Sequence, residues 1–269
     1  GYPASPLCAK GLSSIQELYD PERLTTPMIR TNAKGTGTPE WAPITWDEAY
    51  DEIVTRLNKV KQDYGPCSVA FYSGYNKWYR PFLQRLCYAV GSVNYGTESS
   101  SCFTSTIMSW RLATGADFAA PDLRNAGIFL GWCYNAYYAQ HLMIGGVDKA
   151  RERGMKVIIV DPRITPAVEK QCDLHLRIKP GTDCALALGL ARELIINDWV
   201  DHDYIEKNVY GYEQYKQYVM DFPPERVEQL TDVPADQIRL AARMIHENMP
   251  LAINQSGAAL EHPTNGMQT

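Results

Sequence analysis

Apolar residues along this chain follow two spacings, and the alternation between them sets the expected architecture. From Thr45 the spacing is helical: Trp46, Ala49, Tyr50, Ile53, Val54, Leu57 and Val60 recur on one helix face. The helix carries its own start signal, since "TWDE" places Thr45 three residues ahead of Glu48 in the order of a capping box. Elsewhere short continuous apolar runs appear: "SVAFYSG", "AGIFLGW", "MKVIIVDPR", "DLHLRIKPG" and "PLAINQSG". Each has the length of a strand and ends in glycine, proline, aspartate or a polar residue. Between and beyond these runs the helical period returns over residues 78–90, 102–114, 137–153, 183–197, 223–230 and 234–247. The last of these places Ile238, Ala241, Ala242 and Ile245 on one face.

A strand buried on both faces shows no alternation, so continuous runs separated by helices imply a parallel sheet covered on both sides. The expected fold class is therefore α/β: a doubly wound, mostly parallel, Rossmann-like sheet with helices on both faces. An irregular N-terminal segment precedes it. Residues 1–45 are rich in Pro, Gly and Thr and lack a helical period, and "RTNAKGTGTPEWAPI" reads as a loop or short hairpin.

Composition narrows the function classes. The 269 residues are 45% hydrophobic and 21% charged, an ordinary globular mixture long enough for one large domain or two lobes. A net charge of -5 without any Lys/Arg-rich block argues against a nucleic-acid surface. No apolar run approaches the roughly 20 residues that span a bilayer. The seven scattered cysteines, with no C-x-x-C, do not form a disulfide framework and suit a reducing or anaerobic setting.

In doubly wound sheets ligands sit beyond the carboxyl ends of the strands. Here "VIIV" is followed by Asp161-Pro162-Arg163, "LHLRI" by Lys179-Pro180-Gly181-Thr182-Asp183, and "IFLGW" leads through Cys133 and Tyr134 to Asn135. A carboxylate can accept paired hydrogen bonds from adjacent N–H donors of a base such as guanine, and an arginine suits phosphate. Taken singly, each motif also reads as a strand stop with a helix cap. Three in register favour a ligand crevice. No G-x-G-x-x-G follows any strand, so the common dinucleotide cradle is absent.

Two cysteines stand out by position. Cys8, in "SPLCAKG", has no neighbouring cysteine to share a metal. Cys102 ends the serine-rich "NYGTESSSC" just ahead of a predicted helix, where the helix dipole would favour a thiolate. On position alone, a buried inert thiol is the better reading of Cys102.

The pattern as a whole resembles the molybdopterin oxidoreductase family, nearly end to end. "LCAKG", "YDPERLTTPMIR", "APITWDEAYDEI", "VIIVDPRITPAVEKQCDLHLRIKPGTDCALALGLARELI", "PADQIRLAARMI" and "SGAALEHPTNG" carry the likeness. The resemblance implies a bis(molybdopterin guanine dinucleotide) cofactor holding Mo or W, together with a 4Fe-4S cluster. Cys8 would be the last of four cluster ligands, the other three lying upstream, and Lys10 would sit between cluster and pterin. Cys102 would be the metal's protein ligand, and Asn135, Asp161, Arg163, Gly181 and Asp183 would contact the dinucleotide. At Asn135 the match departs from the usual Gly-x-Asn-Pro turn, because the chain reads "GWCYNA".

The chain is then expected to be an interior fragment of a catalytic subunit, inactive in isolation. Residues 1–45 would be the remnant of the cluster domain and a hairpin, 46–98 a first α/β segment, and 99–269 the lobe binding the pterin dinucleotide. The expected chemistry is transfer of an oxygen atom or hydride equivalent to or from a small-molecule substrate. Expected partners are the remainder of the subunit and an iron–sulfur electron-transfer subunit, in anaerobic respiration or related metabolism. A cysteine ligand points to the branch with formate, periplasmic nitrate, polysulfide, thiosulfate and arsenate enzymes, which also includes the non-redox acetylene hydratase. Substrate, choice of Mo or W, and a cytoplasmic or periplasmic location stay open. The alternatives are a cofactor-free electron-transfer or scaffold subunit of the same fold, or a plain nucleotide-binding domain. Erosion of "VDPR" and "PGTD" would mark the first, and both motifs stand intact.

Overall fold

The computed structural model describes residues 7–117 and 120–255. The stretch "SGAALEHPTNG" and His262 lie outside the described residues. The chain separates into two compact units, one of residues 7–100 and one that begins at residue 101.

The first unit opens with α1 (Ala9–Leu18), which the sequence pattern missed. Its apolar residues Leu12, Ile15 and Leu18 are more than half exposed, and only ten residues carry the pattern, with no side-chain cap to mark the start. The hairpin expectation is met by an antiparallel pair, β1 (Met28–Arg30) and β2 (Trp41–Pro43). Asn32 closes the loop between them, accepting from Arg30 Nε at 2.9 Å and donating to the Thr38 carbonyl at 2.8 Å. Next comes α2 (Trp46–Tyr64), with the capping box in place: the Glu48 N–H donates to Thr45 Oγ1, and Glu48 accepts from the Thr45 N–H. The Thr45 N–H, and after it the Thr45 hydroxyl, donate to the Glu48 carboxylate, stabilise its ionised form and hold its pKa below the ordinary value. The apolar stripe of α2 is not covered, however; Trp46, Tyr50, Ile53 and Val54 are all exposed. A short parallel pair, β3 (Phe71–Ser73) and β4 (Tyr95–Thr97), flanks α3 (Arg80–Val90). Only Ser73 of β3 is buried, so this strand is less enclosed than its sequence suggests.

The second unit begins with α4 (Thr104–Thr114) and is organised on β5 (Ile128–Trp132), β6 (Lys156–Val160), β7 (Leu174–Leu176) and β8 (Leu251–Gln255). They form one all-parallel sheet in the order β7-β6-β5-β8. The continuous burial of β5 is the direct counterpart of its unbroken apolar sequence. Between β5 and β6 run α5 (Ala136–Ala139) and α6 (His141–Glu152), where the sequence suggested one helix. The break falls at Gln140, whose φ of -140° is not helical. α7 (Pro166–Gln171) joins β6 to β7, with Thr165 as its N-cap.

Five helices lead from β7 to β8: α8 (Asp183–Ile196), α9 (His202–Asn208), α10 (Tyr212–Val219), α11 (Pro224–Thr231) and α12 (Ala235–Glu247). Alternate residues of the central strands feed two separate cores. Ile128, Leu130, Trp132, Ile158 and Val160 pack with Leu186 and Leu190 of α8, Val227 of α11 and the Ile238–Ile245 face of α12. Phe129, Val157 and Ile159 pack on the opposite face with Val147 and Ala150 of α6 and Ala167 of α7. The sheet is thus doubly wound, as the sequence predicts.

Candidate functional site

Strand register brings the working end of the sheet to one level. Trp132 pairs with Val160, and Val160 with Leu176, so Cys133 and Asp161 follow at adjacent tips. The β5 tip turns sharply: Cys133 takes a left-handed φ of 54° and its N–H donates to the Val160 carbonyl at 2.7 Å. The Asp161 N–H donates to the Leu176 carbonyl at 3.3 Å, while His175 Nε2 lies 2.8 Å from the Asp161 carbonyl. Beyond β7, the Lys179 N–H donates to the Thr231 carbonyl at 2.8 Å, and Thr182 Oγ1 donates to Lys179's own carbonyl. Gly181 makes that turn possible with φ of 84°, a region that disfavours side-chain-bearing residues. Asp183 then opens α8, in the first turn, where a carboxylate suits the helix dipole.

Asp161 and Asp183 are 4% and 3% exposed. Oδ1 of Asp183 accepts from the indole Nε1 of Trp132 at 2.8 Å. Oδ1 of Asp161 accepts from the Arg163 N–H at 2.8 Å and faces that residue's Nε at 3.8 Å. Both carboxylates act on one thiol: burial foremost, then the charges of Asp183 and Asp161, push Cys133 up to about 12. The backbone and hydrogen bonds place both carboxylates at this edge: Asp161 follows Val160, the register partner of Trp132, and Asp183 is bonded to Trp132 itself. The thiol itself stays protonated.

Each aspartate therefore has a structural duty as well, Asp161 closing a turn and Asp183 anchoring Trp132. Those duties use Oδ1 alone. Among the described residues no hydrogen bond reaches Oδ2 of either carboxylate. Asn135 stands at the N-cap of α5 without capping it, and its Oδ1 is buried with no partner among the described residues. Leaving such an acceptor unpaired costs about 1–3 kcal/mol, which calls for an outside donor. The mostly exposed Arg163 adds a cation beside these acceptors. The arrangement suits a ligand with adjacent N–H donors and an anionic arm. In this respect the residues fit one dinucleotide arm of a pterin cofactor.

The other residues singled out by sequence lie elsewhere. Cys102 is exposed, in the turn between a 3-10 segment, Glu98–Ser101, and α4. Cys8 is the N-cap of α1, where the amides of Gly11 and then Lys10 hold its thiol below the ordinary value. Lys10 is exposed, on the first turn of the same helix. No group of three or more His, Cys, Asp or Glu that could hold a metal exists among the described residues. Sequence reasoning missed Trp132 and Cys133. The signal for Trp132 was present: an indole N–H at the end of a buried strand must find an acceptor. A cavity of about 440 Å³ lies at the other end of β6, by Lys156, where Asp148, Glu152, Arg151 and Asp173 mix charges of both signs. It is remote from the strand tips.

The fold is that of an α/β protein whose polar residues collect at the carboxyl edge of a parallel sheet, where doubly wound proteins bind ligands. The family model described as molybdopterin oxidoreductase matches residues 23–254, and the chain belongs to that family. It is 32% identical to the thiosulfate reductase molybdopterin-containing subunit PhsA of Salmonella typhimurium, over 96% of this chain and 34% of that protein. It is 29% identical to the dimethyl sulfoxide reductase DmsA of Escherichia coli, over 97% of this chain and 36% of the relative. The solved structure of acetylene hydratase from Pelobacter acetylenicus matches with a TM-score of 0.82 and 25% identity, covering all of this chain and 37% of that one. The chain thus spans about a third of the length of these relatives.

Proposed function

We propose that this chain is the dinucleotide-holding part of a molybdenum- or tungsten-dependent oxidoreductase catalytic subunit. The observation that carries the reading is that Asp161 follows β6 beside the β5 tip and Asp183 accepts from Trp132 at that tip, with the unpaired Oδ1 of Asn135 just beyond it. Asp161, Asp183 and Asn135 accept from the guanine-type base and ribose of the cofactor's arm, and Arg163 neutralises its pyrophosphate. The Gly181 turn, free of side chain, lets that arm approach the backbone. When bound, the cofactor supplies two-electron chemistry, moving an oxygen atom or a hydride equivalent.

Cys102 supplies the thiolate ligand to the metal. Its exposure leaves the sulfur accessible, and a soft thiolate suits such a metal. Cys8 joins three further cysteines of the longer polypeptide on a 4Fe-4S cluster, and its lowered pKa favours the ligating form. Lys10, on the first turn of α1, would add positive charge near such a cluster, and an iron–sulfur partner subunit would be the electron-transfer partner. A second reading, non-redox hydration of a small molecule by the same cofactor, is supported by the likeness to acetylene hydratase.

The test uses the full-length catalytic subunit containing this chain, produced in a host that makes the cofactor. Asp161→Asn and Asp183→Ala should each lower the guanine nucleotide released per subunit on acid treatment. Cys102→Ala should change metal content or its spectrum. Unchanged nucleotide and an unchanged metal spectrum would reject the assignment. Retention of activity with no electron donor or acceptor would select the hydratase reading.

A further inference from the structure

Arg80 breaks a local rule. It is the first residue of α3, where unpaired N–H groups favour an anion, and no acidic residue occupies that first turn. The guanidinium is nevertheless held firmly, its side chain only 17% exposed. Its Nη2 donates to the Gly74 carbonyl at 2.9 Å and also to a carboxylate oxygen of Glu98, while Nη1 reaches Ser99 Oγ at 3.5 Å. Ser99 Oγ in turn donates to Glu98 Oε1 at 3.1 Å. Ser73 and Thr97 are the last paired residues of β3 and β4, so Gly74 and Glu98 come next beyond the two carboxyl ends. One guanidinium thus ties both strand tips together.

Hydrophobic burial is sparse in this unit. Among the described residues of 7–100, Cys87 is the single fully buried hydrophobic residue. With hydrophobic burial so sparse, the polar clamp is a tie that holds the chain leaving β4. The segment it fixes runs directly into the Cys102 turn, with Ser99 three residues ahead of the thiol. A lysine could not replace the clamp, since its ammonium lacks the planar fork that serves several acceptors at set angles.

We infer that Arg80 and Glu98 are a positioning pair that sets the conformation of the Cys102 turn and so the approach of its thiol. This rests on the reading of Cys102 as the metal's protein ligand. Arg80 touches neither metal nor substrate in this proposal; it acts through residues 98–102.

The experiment compares wild type with Arg80→Gln, Glu98→Gln and Arg80→Lys in the full-length catalytic subunit, with and without cofactor. In the cofactor-free protein, hydrogen exchange of the amides over residues 97–104 should speed up at least tenfold in Arg80→Gln. Exchange in α2 of the same unit, and in β5 and β6 of the other, should hold at the wild-type rate, which controls for general unfolding. Arg80→Lys should fall between the two. In the loaded protein the paramagnetic resonance of the metal should broaden or shift in Arg80→Gln, and kcat should fall about tenfold while KM stays within twofold. Unchanged exchange over 97–104 in both Arg80→Gln and Glu98→Gln would overturn the proposal. So would an unaltered metal signal in Arg80→Gln where Cys102→Ala alters it. If Cys102→Ala leaves the signal untouched, the ligation reading fails instead. The clamp is then judged by exchange, faster supporting it and unchanged overturning it.

Discussion

The bond from Trp132 Nε1 to Asp183 Oδ1 joins the tip of β5 to the first turn of α8, and its removal has a calculable consequence. Trp132→Phe deletes the donor and leaves the 3%-exposed Asp183 carboxylate short of one partner at 2.8 Å. Losing a hydrogen bond to a buried charged acceptor costs about 1.5–3 kcal/mol. The smaller ring leaves a void beside Trp132's core neighbours and adds about 1 kcal/mol. The sum is about 3 kcal/mol, which at about 1.36 kcal/mol per tenfold is roughly a hundredfold in an opening equilibrium.

Native-state hydrogen exchange of β5 and β6 amides reads that equilibrium for the sheet itself. Trp132→Phe should accelerate it by about that factor. The companion variants Asp183→Ala and Trp132→Phe/Asp183→Ala complete a double-mutant cycle, in which a coupling above about 1 kcal/mol is expected for groups in contact. A coupling below about 0.5 kcal/mol would refute the view that this bond anchors Asp183 at the crevice.

Two further outcomes follow from the packing and the charges. A Cβ at Gly189 of α8 would lie 2.8 Å from Val227 Cγ2 on α11, so Gly189→Ala should destabilise by about 1–3 kcal/mol in urea unfolding, with Val227→Ala restoring most of the loss. If the single variant matches wild type, the two helices are not in the close contact described. With its pKa pushed up to about 12, Cys133 becomes a thiolate only as the pH approaches that value, leaving about one molecule in 10⁴ reactive at pH 8, whereas Cys8 lies below the ordinary thiol value. In cluster-free protein, iodoacetamide at pH 8 should therefore label Cys8 and spare Cys133 by peptide mass spectrometry. Equal labelling would show that burial and the two aspartates do not act on Cys133 as described.

The elements legible in the sequence are those whose pattern follows from local geometry. β5 and β6 were readable because strands covered on both faces must be apolar throughout. α2 was readable because its cap and its periodicity agree. By contrast, α1, α9 and α10 are only ten, seven and eight residues long, too short for the repeated turns that made the 19-residue α2 plain. The three-residue β4 is too short for any period. The helical stripe of α2 predicts the helix correctly but not what covers it, since periodicity records which side is apolar and nothing about its neighbour. At the crevice, Asp161, Asp183, Gly181 and Asn135 could be singled out because proline, glycine and aspartate at strand ends are conspicuous. Cys133 could not, for a half-buried cysteine has the same sequence signature wherever it lies.

The sequence by itself determined the parallel α/β plan, the capped α2, and the strand ends at which polar residues collect, all consequences of periods and breaks within a few residues. Only the tertiary structure decided that Trp132 reaches Asp183, 51 positions away, that both aspartates bear on Cys133, and that Arg80 joins Gly74 to Glu98. These pairings depend on strand order and register. Register is fixed by which alternate side chains each core accepts, a choice made between elements and therefore written in no single one of them.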